Sequence, residues 1–151
     1  MISRPRGGDW LEDEVKAWRR AGLDVVVSLL EKDEAAQLEL RHEGDMAKSE
    51  NVQFISFPIP DRGVPTSTKD AISLLGEIAA KLEEGKNVAI HCRQSVGRSG
   101  LVAAGLLVTS GMGVDKAIDA VSTARGQTIP ETPVQLQWIK QLPSGYLAPT
   151  R

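Results

Sequence analysis

The sequence predicts an α/β domain in which a mostly parallel central sheet carries helices on both faces and a helical cluster closes the chain. Three observations predict it. Short β-branched runs alternate with segments of helical periodicity through the first two thirds of the chain. The first of these runs is almost continuously apolar, the pattern of a strand covered on both faces. After the third run only helical periodicity follows.

Taken in order, Leu11, Val15 and Trp18 recur at helical spacing after Asp9, a suitable N-cap, and Gly22 follows where a helix would stop. The first helix is therefore expected to end near Ala21. Val25 to Leu30 reads as a buried strand. Glu31 to about His42 is polar, Glu-rich and helical by propensity. Val52, Phe54, Ile55 and Phe57 form a second strand, closed by Pro58 and Pro60. From Ser67 to Glu84 apolar residues fall at Ile72, Leu75, Ile78, Ala79 and Leu82; Ser67 and Asp70 have capping-box spacing, and Gly85 ends the helix. Asn87 to His91 is the third strand. It leads through a short loop into Ser99 to Val108, apolar around its whole circumference as befits a helix in the middle of a core. Val114 to Ala124 and Pro133 to about Leu142 are the last helices, the latter with Thr132 as N-cap, Pro133 at the first position and Gln135 placed for a capping box.

Length and charge narrow the functional classes. At 151 residues, 41% hydrophobic and 25% charged, the chain suits one domain over residues 1–151, with 143–151 as an irregular tail. Eighteen Lys plus Arg against 20 Asp plus Glu give a net charge of −2, which offers no basic field for nucleic acid or an anionic membrane. No apolar run follows Arg4 and Arg6 near the start, and Leu101 to Val108 is too short to span a bilayer. A cytoplasmic protein is the expectation. One cysteine, Cys92, excludes an internal disulfide and a multi-thiolate zinc site built by this chain alone.

Chemistry gathers in His91-Cys92-Arg93-Gln94-Ser95-Val96-Gly97-Arg98-Ser99-Gly100, between a strand and a helix. A loop entering a helix N-terminus presents unpaired N–H groups and the positive end of the macrodipole, which bind a phosphate-like dianion. That field also favours a thiolate, so Cys92 is placed to be a nucleophile. Arg98, folded back over the loop, is able to fork two hydrogen bonds to phosphate oxygens.

These residues resemble the signature loop of cysteine-based protein tyrosine phosphatases: Cys92, five intervening residues, Arg98 and Ser99, with His91 in front. The short chain is similar to the compact dual-specificity branch, over about Leu23 to Leu142. A second point of likeness is Pro58-Ile59-Pro60-Asp61-Arg62-Gly63-Val64-Pro65, about thirty residues upstream on a Pro- and Gly-rich loop, where the family carries its general acid. Pro-Asp-Arg-Gly is equally good β-turn chemistry, so the turn alone does not establish the role.

The resemblance implies a phosphatase acting on phosphate monoesters, with phosphotyrosine in proteins foremost and phosphoserine or phosphothreonine alongside. It implies that Cys92 attacks phosphorus to form a phosphocysteine, that Asp61 protonates the leaving oxygen and then activates water, and that Ser99 stabilises the departing thiolate. Arg93, Gln94, Ser95, Val96, Gly97 and Arg98 would bind the phosphate; His91 and Arg125 would support the site. No metal or other cofactor is implied, and the partner is a phosphorylated protein or small phosphate ester. Gln135 invites comparison with a Gln that positions the hydrolytic water in some members, and its capping position explains it equally well. Ser95 departs from the family's usual Gly, so its Cβ constrains the loop backbone.

Three other readings compete. A phosphoinositide or other small-ester phosphatase shares the chemistry, although the loop lacks the lysines that lipid-phosphatase relatives often carry. A catalytically weak phosphopeptide-binding module shares the fold, but such modules usually lose Cys, Arg or Asp, all present here. A rhodanese-like sulfur transferase also uses a loop cysteine, but the acid loop and the Arg-Ser-Gly ending oppose it.

Overall fold

A computed structural model describes residues 1–94 and 97–145. The chain runs α1 (Leu11–Arg20), β1 (Val25–Ser28), α2 (Lys32–Gln37), α3 (Glu43–Ser49), β2 (Gln53–Ser56), α4 (Thr68–Glu83), β3 (Val88–His91), α5 (Gly97–Thr109), α6 (Val114–Arg125) and α7 (Pro133–Lys140). The three strands form a parallel sheet of order β2-β1-β3, with Ser28 level with Ser56 on one side and with His91 on the other. All three strands thus end at one edge, the side where ligands bind in open α/β sheets.

Burial explains the central strand. Val25, Val26 and Val27 are all inaccessible, and their side chains alternate between the two faces. Val26 joins Leu11, Val15 and Trp18 of α1 and Ala47 of α3 on one face. Val25 and Val27 join Leu74, Leu75 and Ile78 of α4 and Val102 of α5 on the other. Behind α5 a further cluster packs Leu101, Ala104 and Val108 against Ala117 and Val121 of α6 and Trp138 and Ile139 of α7. The helix read as apolar all round therefore has neighbours all round, and truncating Leu101 to Ala would cost roughly 2–5 kcal/mol.

Local chemistry sets most helix ends as the sequence indicates. Ser67 Oγ accepts from Asp70 N–H at 3.1 Å, Thr132 Oγ1 accepts from Gln135 N–H at 3.2 Å, and α6 closes on Gly126 in the left-handed region. Three expectations need correction. Asp9 is not the cap of α1: it lies in a 3-10 turn, Gly8–Trp10, and the N-cap is Trp10, without a side-chain bond. Glu31 to His42 is not one helix, because α2 stops at Gln37, Glu39 takes a left-handed φ of 56°, and a separate α3 follows. Gln135 does not complete a capping box; its Oε1 accepts from Glu131 N–H, one residue before the cap. The strands are also shorter than the apolar runs that announce them, since β ladders end before the runs do. Of the tail, residues 146–151 lie outside the described residues.

Candidate active site

β3 delivers His91 and Cys92 to the carboxyl edge of the sheet, and α5 begins at Gly97 with Arg98 and Ser99 in its first turn. A pocket of about 220 Å³ opens there, lined by Asp61, Arg62, Cys92, Arg93, Gln94, Gly97, Arg98 and Glu131. The 13-residue α5 points its N-terminus at this pocket, so its dipole favours an anion there. Ser95 and Val96, both expected to bind phosphate, lie outside the described residues, as does the consequence of Ser at position 95.

Arg98 is almost wholly buried and its partners come from three other segments. Its Nη1 donates to Glu34 Oε1 at 2.6 Å and its Nη2 to Glu34 Oε2 at 2.8 Å, a bidentate pair with α2. Nη1 also donates to the carbonyls of Ile59 at 2.9 Å and Leu29 at 3.5 Å. The forked pair expected for phosphate is thus made with Glu34, while Nη2 also faces Asp61 Oδ1 at 3.6 Å. Burial works against the guanidinium charge as the largest single influence, yet the Glu34 hydrogen bonds and charge outweigh it and raise Arg98 above its ordinary value. Reciprocally, the hydrogen bonds from Arg98 hold the Glu34 carboxyl below the usual carboxylate range, against its burial and with help from the N–H of Glu31.

The loop after β2 holds Asp61 above this group. Ile59 is fully buried and its N–H bonds to the Leu29 carbonyl at 3.1 Å, which fixes the loop's root. Gly63 N–H closes a turn onto Pro60 O at 2.8 Å, and Arg62 adopts a left-handed φ of 59°. Asp61 projects from this turn with 65% of its side chain exposed, over the mouth of the pocket.

The remaining predicted residues fall into two groups. Ser99 is fully buried one residue from Arg98, and its Oγ has no hydrogen-bond partner among the described residues. A buried hydroxyl left in that state needs a reason. Arg93 and Gln94 line the pocket, and the Arg93 carbonyl accepts from Arg4 at 2.7 Å. His91, inaccessible to solvent, bonds through Nε2 to the equally buried Glu43 Oε2 at 2.5 Å. Arg125 is not among the pocket residues; it sits at the end of α6, within electrostatic reach of the Met1 amino group. Gln135, fully buried, bonds across to the loop that carries Asp61: its Nε2 donates to Gly63 O at 3.1 Å.

Sequence reading passed over Glu34, Glu43 and Glu131. A signal existed for Glu34, since Glu31 and Glu34 make a reciprocal capping box directly after a buried strand. Glu43 and Glu131 depend on contacts 48 and 69 positions away in the chain, and nothing local marks them.

Comparison with known proteins decides the family. A profile described as the DSP-PTPase phosphatase of polymorphic toxin systems matches residues 2–112. The chain belongs to this phosphatase family. Among curated relatives, the chain is 24% identical to cyclin-dependent kinase inhibitor 3 of Rattus norvegicus over 87% of its own length and 62% of that protein's. It is 34% identical to a putative tyrosine phosphatase, 197R, of invertebrate iridescent virus 6 over 50% of its own length and 30% of that protein's. The chain therefore spans about 62% or less of these two relatives. Among solved structures, Tk-PTP in its active form has a TM-score of 0.77 at 30% identity, covering 93% of this chain and 88% of that one. Kinase associated phosphatase reaches a TM-score of 0.85 at 20% identity, covering 91% and 81%, a likeness of fold.

Proposed function

We propose that this phosphatase hydrolyses phosphotyrosine in proteins, with phosphoserine or phosphothreonine alongside, through a phosphocysteine intermediate. The observation that carries the reading is convergence: Cys92 from the end of β3, Arg98 from α5 and Asp61 from the loop after β2 all line one pocket. Its volume of about 220 Å³ is below the usual range of small-molecule sites, which suits one phosphoryl group and the ring or methylene that carries it. The residues between Cys92 and Arg98 include no lysine, which lipid-phosphatase relatives often carry there, so a phosphoprotein is favoured over a phosphoinositide.

In this mechanism the Cys92 thiolate attacks phosphorus as the ester P–O bond breaks, and the leaving oxygen takes its proton from Asp61. Arg98 and the amides at the start of α5 neutralise the equatorial oxygens. Water then attacks phosphorus, giving its proton to the Asp61 carboxylate. The P–S bond breaks, the thiolate leaves toward the Ser99 hydroxyl, and inorganic phosphate departs. Arg93, Gln94 and Gly97 line the rest of the pocket, and His91 holds its root. The reaction calls for no metal or other cofactor. No helix among the described residues is long and apolar enough to cross a membrane, and a cytoplasmic setting, which keeps a catalytic thiol reduced, completes the reading.

Hydrolysis of nitrophenyl phosphate should be abolished in Cys92→Ser, and rapid quenching of wild type should trap phosphate on the protein. Asp61→Asn should slow esters of poor leaving groups far more than nitrophenyl phosphate. Equal losses would remove Asp61 as the acid. Phosphopeptides and phosphoinositides assayed side by side should favour the peptides; faster turnover of inositol lipids would replace the substrate assignment.

A further inference from the structure

Three contacts join Glu131 and Gln135, just before and within α7, to the two loops of the active site, and a fourth ties these two residues together. Glu131 Oε2 pairs with Arg62 Nη1 at 3.4 Å, on the residue next to Asp61. The other carboxylate oxygen, Oε1, lies against Gly97 at the entry to α5, in the space that a Cβ on that glycine would fill. Gln135 Oε1 accepts from Glu131 N–H at 3.0 Å, and Gln135 Nε2 donates to Gly63 O at 3.1 Å. The acid loop is thus held at Arg62 and at Gly63, on both residues that follow Asp61.

From this geometry we infer that Glu131 is a positioning residue: it latches Arg62 to the phosphate loop at Gly97 and so keeps Asp61 in line to protonate the leaving oxygen. The inference rests on the proposal that Asp61 is the general acid. An exposed ion pair between two free side chains contributes little, because both must be ordered to form it. Here one partner is already ordered: its backbone is tied by a fully buried Gln135 and its carboxylate is seated on Gly97. The left-handed backbone at Arg62 confines the other partner. A loop left to wander costs the protonation step its alignment, and misplacements of about 1 Å slow catalysis substantially.

The test is a double-mutant cycle with Arg62→Ala and Glu131→Ala, read as the ratio of kcat/KM for alkyl or phenyl phosphate to that for nitrophenyl phosphate. Each single variant should lower this ratio about three- to five-fold, the scale of one ordered ion pair. The double variant should be no worse than the worse single one. Glu131→Gln, which still accepts from Arg62 and still covers Gly97, should recover most of the ratio. Additive losses, an unchanged ratio, or a Gln variant as damaged as the Ala variant would overturn the latch; the last result would mark Glu131 as a proton donor instead. Asp61→Asn run in parallel separates the two failures: if it lowers the ratio and the Glu131 variants do not, only the latch fails, and if it does not, the assignment of the acid fails.

Discussion

Arg98 shows how one residue couples folding and chemistry. A buried guanidinium is unfavourable unless its donors are met, and here Glu34 supplies a bidentate partner while the Ile59 carbonyl meets a further N–H. Glu34→Gln should therefore do two separable things. It leaves Arg98 with a neutral neighbour in a dry site, which should lower stability by about 3 kcal/mol in urea unfolding. It also changes the acid limb. The Glu34 carboxyl is held below its ordinary range in the folded protein, so the stability it contributes is complete above the ordinary carboxylate range and is lost as pH falls through the lower folded value. Wild type should lose this contribution at acid pH and the Gln variant should show a flatter acid limb. Parallel curves from neutral pH down to below the carboxylate range would refute the assignment.

At the scale of elements, legibility tracks the range of the physics involved. Cys92, Arg98 and Ser99 were readable because a strand, a loop of fixed length and a helix start lie next to one another in the chain, and Asp61 because proline and glycine mark its turn. The break between α2 and α3 was not, since propensity favours one helix there and a left-handed Glu39 ends it against that preference. Gln135 was read as a helix-start residue or as the counterpart of a water-positioning Gln; its bond to Gly63 spans 72 positions and needs the folded chain. Gly97 belongs to the same element junction and yields a prediction. A methyl group there would collide with the Glu131 carboxylate, which sits at the end of a flexible side chain and is able to swing away. Gly97→Ala should thus leave thermal stability within about 1 kcal/mol, because Ala favours the helix start that Gly opposes, while lowering activity toward poor leaving groups as Glu131→Ala does. A large loss of stability, or an unaffected leaving-group dependence, would show that Glu131 does not occupy that place.

The whole molecule is arranged so that its two-faced core and its site depend on the same sheet edge. Helices α1 and α3 cover one face and α4 and α5 the other, as continuous apolar runs imply, and the strands between them release Leu29, Ile59 and Cys92 around Arg98. A dianion in the pocket meets the amino end of α5 and the guanidinium of Arg98, a buried cation that also faces Glu34 and Asp61. Inorganic phosphate or tungstate should accordingly stabilise the entire fold and not merely the loop. At a hundredfold excess over Kd the gain is about 2.7 kcal/mol, which for a domain of this size moves the melting temperature by roughly 5–10 °C. Cys92→Ser should keep the shift, because the substitution removes no cation and no amide donor from the pocket. Arg98→Lys should lose most of it, since a single ammonium cannot bridge Glu34 and the anion together. Equal shifts in wild type and Arg98→Lys, measured at the same free anion, would mean that the anion binds somewhere other than the pocket at the head of α5.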